Sequence, residues 1–157
     1  MSKIINIFLF NLLLAGGVPG ASAQAQDITF TNSLENKKVE QRLLGKRMFS
    51  LQWILYKNNK KYGVANITRK DSGLYIDAHH EFNGDYAVLK GDLTIISPSE
   101  FTVSGELVTR VSDINNGNAC QRSGTFTFKA TGKRKYWRMQ EIVNPCEDLA
   151  DYVDVYF

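Results

Sequence analysis

Three titratable residues fall on strand faces that are otherwise apolar: His80, Arg122 and Glu141. A charge taken into an interior must be paired or solvated. An arginine fork does this with a carboxylate, which here is either Glu141 or a carboxylate carried by a ligand. Trp137, expected deeper on the same faces, completes a candidate ligand-binding set of His80, Arg122, Glu141 and Trp137. The set suits a small apolar or amphipathic molecule with a carboxylate. The competing reading is a structural polar cluster at a wet barrel end, with no ligand.

Other constellations carry less. Asp77, His79 and Glu81 alternate on one strand face. His and carboxylate suit zinc, but no further ligand is apparent, so the face reads as solvated and no metal is assigned. The two histidines are adjacent, and strand alternation sends them to opposite faces. No nucleophile–base pair, glycine-rich phosphate loop or nucleophile elbow occurs. The chain is therefore expected not to be an enzyme, with no catalytic residues and no cofactor. Lys133, Arg134, Lys135 and Arg138 form a basic turn with Tyr136 and Trp137, while Lys57, Lys60 and Lys61 fall at the other end. No continuous basic stripe results, so nucleic acid is not an expected partner.

The elements that must position these residues are strands. Residues 120–146 read CQRSGTFTFKATGKRKYWRMQEIVNPC. Phe126, Phe128 and Ala130 alternate with Thr125, Thr127 and Lys129, the period of a half-buried strand. A tight turn at Gly132-Lys133 would set Phe128 opposite Trp137 and Phe126 opposite Met139. The same register places Arg122 opposite Val143 and Glu141 opposite Gly124, an inner ion pair in diagonal contact. It also brings Cys120 near Cys146, and a disulfide between them is expected.

Upstream, Phe49, Leu51, Trp53 and Leu55 share one face of a first strand, and residues 62–69 make a second. Leu74, Ile76, Ala78, His80 and Phe82 line a third, which turns at Asn83-Gly84-Asp85. Ala87, Leu89, Gly91, Leu93 and Ile95 line a fourth. Phe101, Val103, Gly105 and Leu107 line a fifth, and pairing Ile95 with Phe101 sets Gly91 against Gly105. Val153, Val155 and Phe157 alternate in a last strand.

The ends of the chain bound its setting. Lys3 followed by the apolar run 4–15 and Ala21-Ser22-Ala23 reads as a signal peptide over 1–23, cleaved after Ala23. Residues 24–46 read as a polar arm, with one short helix at 37–44, and 47–157 as the barrel domain. The formal charge of +3 falls by one with Lys3, too little to imply a strong preference for nucleic acid. An exported location, periplasmic or secreted, follows from leader and cysteines together. Membrane association after cleavage is not expected.

About eight short strands joined by tight turns predict an all-β, single-domain antiparallel up-and-down meander. Closure removes exposed edges, and about eight strands enclose packed side chains or one small ligand. The architecture resembles a lipocalin-like, calycin-type barrel, although Leu51-Gln52 stand before Trp53 in place of that family's glycine-x-tryptophan motif. A two-sheet sandwich is the alternative. Three functions compete: a binding barrel holding a small apolar ligand in its mouth, an exported module that binds a protein partner such as an enzyme it inhibits, and a small outer-membrane barrel. For the second, Ser72-Gly73-Leu74-Tyr75 resembles, with different spacing, the serine-glycine-tyrosine loop of one group of small lysozyme-inhibiting barrels. For the third, the final Val153-x-Val155-x-Phe157 resembles the terminal strand of outer-membrane barrels.

Overall fold

The structure is a computed structural model that describes residues 33–71 and 73–157. The expected leader lies outside the described residues. A helix α1 (33–43) leads into strand β1 (Gly45–Leu51), followed by helix α2 (Gln52–Lys57) and β2 (Gly63–Lys70). Then come β3 (Gly73–Phe82), β4 (Asp85–Ser97), β5 (Glu100–Arg110), β6 (Cys120–Lys129) and β7 (Tyr136–Met139). A side ribbon of β8 (Val143–Asn144) and β9 (Leu149–Ala150) precedes β10 (Val153–Tyr156). Strands β1 to β7 and β10 form one closed antiparallel barrel, lipocalin-like in architecture, in which β10 pairs with both β7 and β1.

Alternation explains the closure. Odd-numbered residues of β1, β2, β5, β7 and β10 and the matching residues of β3, β4 and β6 turn inward. Phe49, Leu51, Ile76, Ala78, Leu89, Val103, Leu107, Phe128, Met139 and Val155 have no accessible surface. Asn83 (φ 51) and Gly84 (φ 84) both adopt positive φ, as a two-residue type I′ loop between β3 and β4 requires. Ile95 pairs with Phe101, and Gly91 with Gly105. A Cβ on Gly105 would stand 2.0 Å from the Lys90 carbonyl oxygen and 2.5 Å from Gly91 Cα. The two glycines thus let β4 and β5 approach where no other residue fits.

Three expectations are corrected. First, Trp53 and Leu55 do not continue β1. The strand ends at Leu51, and the next buried residue is Ile54, a helical step of three that turns α2 across the upper barrel end. Second, Phe128 pairs with Met139, not Trp137, a shift of two residues. The connection 130–135 is longer than a two-residue loop, although Gly132 does take a positive φ of 61. Third, part of the polar arm belongs to the fold. Val39 and Leu43 of α1 are buried in the core from below, and β1 starts at Gly45.

The barrel has unlike ends. Short turns β2–β3, β4–β5 and β6–β7 lie at the lower end with α1. The long connections 52–62, 111–119 and 140–152 lie at the upper end with the β3–β4 loop.

Candidate functional site

The upper end is built around Asp151, which is 1% exposed. It continues the inward positions of β10, two residues before Val153. Its Oδ2 lies 2.9 Å from Arg122 Nη2 and accepts from Asn144 Nδ2 at 3.1 Å and Thr109 Oγ1 at 3.3 Å. Its Oδ1 accepts from Trp53 Nε1 at 3.1 Å. One carboxylate therefore ties α2, β5, β6 and β8 to the approach of β10. Burial pushes the Asp151 carboxyl up from its ordinary value, and the Arg122 charge pulls it back, helped by the neutral donors. Burial likewise lowers the Arg122 value against the pull of Asp151 and Glu141. Arg122 also donates through Nη1 to the carbonyl oxygens of Glu141 and Val143, at 3.2 and 3.3 Å.

The expected pairing of Arg122 with the Glu141 carboxylate is not formed. Beyond Met139 the chain leaves the sheet for the side ribbon, and Glu141 turns outward. Its side chain is exposed, and Oε2 accepts from the Thr127 amide at 2.8 Å. Trp137 points inward, but at the lower end. It meets Phe101 at 5.6 Å and Phe157 at 4.3 Å between ring centroids, and Arg42 lies over its ring. The four candidate residues therefore occupy three places: Arg122 and His80 above, Glu141 outside, Trp137 below.

His80 is 1% exposed and sits opposite Ala87 on β4. Its Nδ1 accepts from the Leu51 amide at 3.2 Å. The ring proton must then be on Nε2, which donates to the Lys61 carbonyl oxygen at 2.9 Å. Asn58 brackets the same residue, accepting from Lys61 N at 2.9 Å and donating to its oxygen at 2.6 Å. Burial lowers the His80 pKa, opposed by the Lys61 carbonyl and aided by the His79 charge. His80 thus pins the start of α2 and its exit loop to β3 as a neutral imidazole.

Two further devices stiffen this end. Lys57 Nζ bridges Asp85 and Asp113 at 2.8 and 2.7 Å. Hydrogen bonds to Asp113 and Asp85 raise its pKa. Asp85 also accepts from the Ser112 amide at 2.7 Å, so α2, the β3–β4 loop and the loop 111–119 share one clamp. Cys120 and Cys146 form the expected disulfide, with Cα atoms 6.0 Å apart. Cys146 lies in the turn between β8 and β9, so the bond links that turn to the upper-end start of β6 and does not bridge two paired strands.

Asp77, His79 and Glu81 face outward. Asp77 pairs with Lys90 and His79 with Glu81, each at 3.4 Å. No group of metal-capable side chains comes together among the described residues. A groove of about 390 Å³ lies outside the barrel between the α2 exit loop and β3, lined by Tyr62, Val64, His79, Glu81 and Phe82 among others.

Asp151, Trp53, Thr109 and Asn144 escaped sequence reasoning. A signal existed for two of them. Asp151 and Thr109 each continue the inward parity of a strand that was recognised, one at its start and one at its end.

Fold and site together define a small closed barrel with a packed interior and a cross-braced set of loops at one end. The PM1083 family model matches residues 30–157, and the chain belongs to that family. It is 41% identical over 144 residues to the "Uncharacterized protein PM1083" of Pasteurella multocida (strain Pm70), covering 92% of each chain. No solved structure matches.

Proposed function

We propose that this is an exported, non-catalytic binding module that recognises a protein partner with its upper end. The observation that supports this most is the cross-bracing of that end. Three long connections are pinned by Asp151, by the Lys57 clamp, by His80 and by the disulfide. Pre-ordered loops lose little freedom on binding, which is how a scaffold gains affinity. They also carry apolar side chains toward solvent: Tyr56 is 73% exposed and Val143 is 58% exposed.

A small ligand inside the barrel fits poorly. Ten inward residues spread over the strands, among them Phe49, Leu89, Phe128 and Val155, have no surface accessible to water, and α2 covers the mouth with Ile54 in the core. The outward faces carry Thr68, Lys90, Asp92, Glu106 and Thr125, all but Glu106 exposed. A lipid-embedded barrel needs the inverse pattern, apolar outside and polar within. The disulfide accords with an exported setting.

The test pairs two measurements. Native mass spectrometry of the exported protein is expected to show the bare chain mass. Capture from the native compartment is expected to retrieve a protein that Tyr56→Ala/Val143→Ser loses and Lys133→Glu keeps. A retained small molecule, or capture unaffected by the upper-end changes, overturns the reading. A second reading moves the small ligand to the outer groove beside His79 and Tyr62, whose volume would admit a small molecule. The same mass measurement decides it.

A further inference from the structure

The modest net charge hides a separation. At the lower end, Lys37 and Lys38 on α1, Lys46 at the foot of β1, and Lys133, Arg134 and Lys135 in the β6–β7 turn are all exposed. None of them has an ion-pair partner among the described residues. The acids of this end are Glu35, Glu40, Asp71 and Glu100, with Asp92 higher on β4, and two are already committed: Glu40 to Arg69, Glu100 to Lys129. The upper end carries the exposed acids Glu81, Asp113, Glu141, Glu147 and Asp148 against the cations Lys57, Lys60 and Lys61, with Asp113 held by Lys57, so acids outnumber cations there. The molecule is thus a dipole along the barrel axis.

The basic end also presents apolar tips. Leu34 on the first turn of α1 is 45% exposed, and Ile96 beside the β4–β5 turn is 54% exposed. The two elements adjoin, since Glu35, Lys38, Val39 and Arg42 of α1 share a cleft with Pro98 of that turn. Phe157, 37% exposed, lies at the same end against Trp137. Unpaired cations around projecting aliphatic side chains match a surface of anionic headgroups over acyl chains.

We propose that the lower end of the barrel docks on the anionic phospholipid headgroups of a bilayer. Charge complementarity and the exposed Leu34 and Ile96 favour a bilayer over nucleic acid. Nucleic acid would be gripped by stacking aromatics along a basic groove, and the cations here are spread over a helix, a strand end and a turn. Docking in this way points the acidic upper end and its loops away from the membrane. This departs from the expectation of no membrane association after leader cleavage, since a net charge does not report how charges are separated.

The experiment is co-sedimentation of the exported protein, purified without detergent, with vesicles of phosphatidylcholine, with or without phosphatidylglycerol, at about 0.1 M salt. Binding is expected only with phosphatidylglycerol, with release at about 0.5 M salt as screening shortens the reach of the charges. Lys133→Glu/Arg134→Glu/Lys135→Glu is expected to weaken it at least tenfold, and Leu34→Ser/Ile96→Ser severalfold. Lys60→Glu/Lys61→Glu, at the other end, is expected to bind as the parent does. Equal sedimentation with both vesicle types, no sedimentation with either, or a parent-like triple variant of confirmed fold overturns the proposal. So does retention of mixed-sequence DNA by a protein that ignores vesicles.

Discussion

The guanidinium of Arg122 lies 2.9 Å from the carboxylate of Asp151, and their side chains are 9% and 2% exposed. Neither charge has enough water to survive alone. Breaking such a pair leaves the partner buried and uncompensated, at a cost of about 3–5 kcal/mol. Arg122→Met is therefore expected to lower stability by that amount in urea unfolding. Arg122→Met/Asp151→Leu is expected to recover part of the loss, because no orphaned charge remains. A double variant as unstable as the sum of the single changes would show that the two residues act independently.

His80 predicts a pH dependence. Its folded pKa is lowered by burial, so the unfolded chain binds a proton more readily than the folded one. Stability contributed by neutral His80 is then full above the unfolded value of about 6.5 and declines as pH falls below it. The decline ends at the lower folded value. Protonation would also cost the bond that Nδ1 accepts from Leu51. Unfolding at a series of pH values from 7.5 to about 5 is expected to show this slope, and His80→Gln is expected to flatten it. A parent curve without slope in that window would mean that His80 keeps its ordinary basicity.

Gly105 faces Gly91 across β4 and β5 with no room for a methyl group. Overpacking of this kind costs about 1–3 kcal/mol, and more where backbone must move. Gly105→Ala is expected to reach at least the upper part of that range in thermal unfolding, with β4 and β5 amides near the site exchanging faster. A neutral substitution would show that the two strands can separate freely there.

Much of the fold was legible in the sequence because strand parity is robust. A two-residue error in pairing leaves every side chain on its own face, so Phe128, Trp137 and Met139 are inward although their partners were misassigned. Gly91 against Gly105 followed from one aromatic pairing, Ile95 with Phe101. Parity also placed His80 and Arg122 inside. What it cannot report is where a strand stops. Glu141 continues the alternation of Trp137 and Met139, yet the chain leaves the sheet after Met139, and Glu141 goes to solvent. Leu51, Trp53 and Leu55 alternate too, but the chain turns into α2 after Leu51, which buries Ile54 and leaves Trp53 and Leu55 half-buried. The acid in place of Glu141 is Asp151, 29 residues from Arg122 and brought to it where the side ribbon folds back.

That closure has a temporal consequence. β10 is the seam of the ring, pairing Val155 with Phe49 on one side and with Trp137 on the other. A chain emerging from its amino end can assemble β1 to β6 as successive local hairpins, but β1 must wait as an unpaired edge for the whole intervening sequence. Such long-range pairing is the slow part of folding. During that wait the hub around Arg122 also lacks its carboxylate, since Asp151 lies only two residues ahead of that strand. Completion of the ring and neutralisation of its buried arginine thus draw on one final stretch of chain, and a chain halted before residue 151 would have neither.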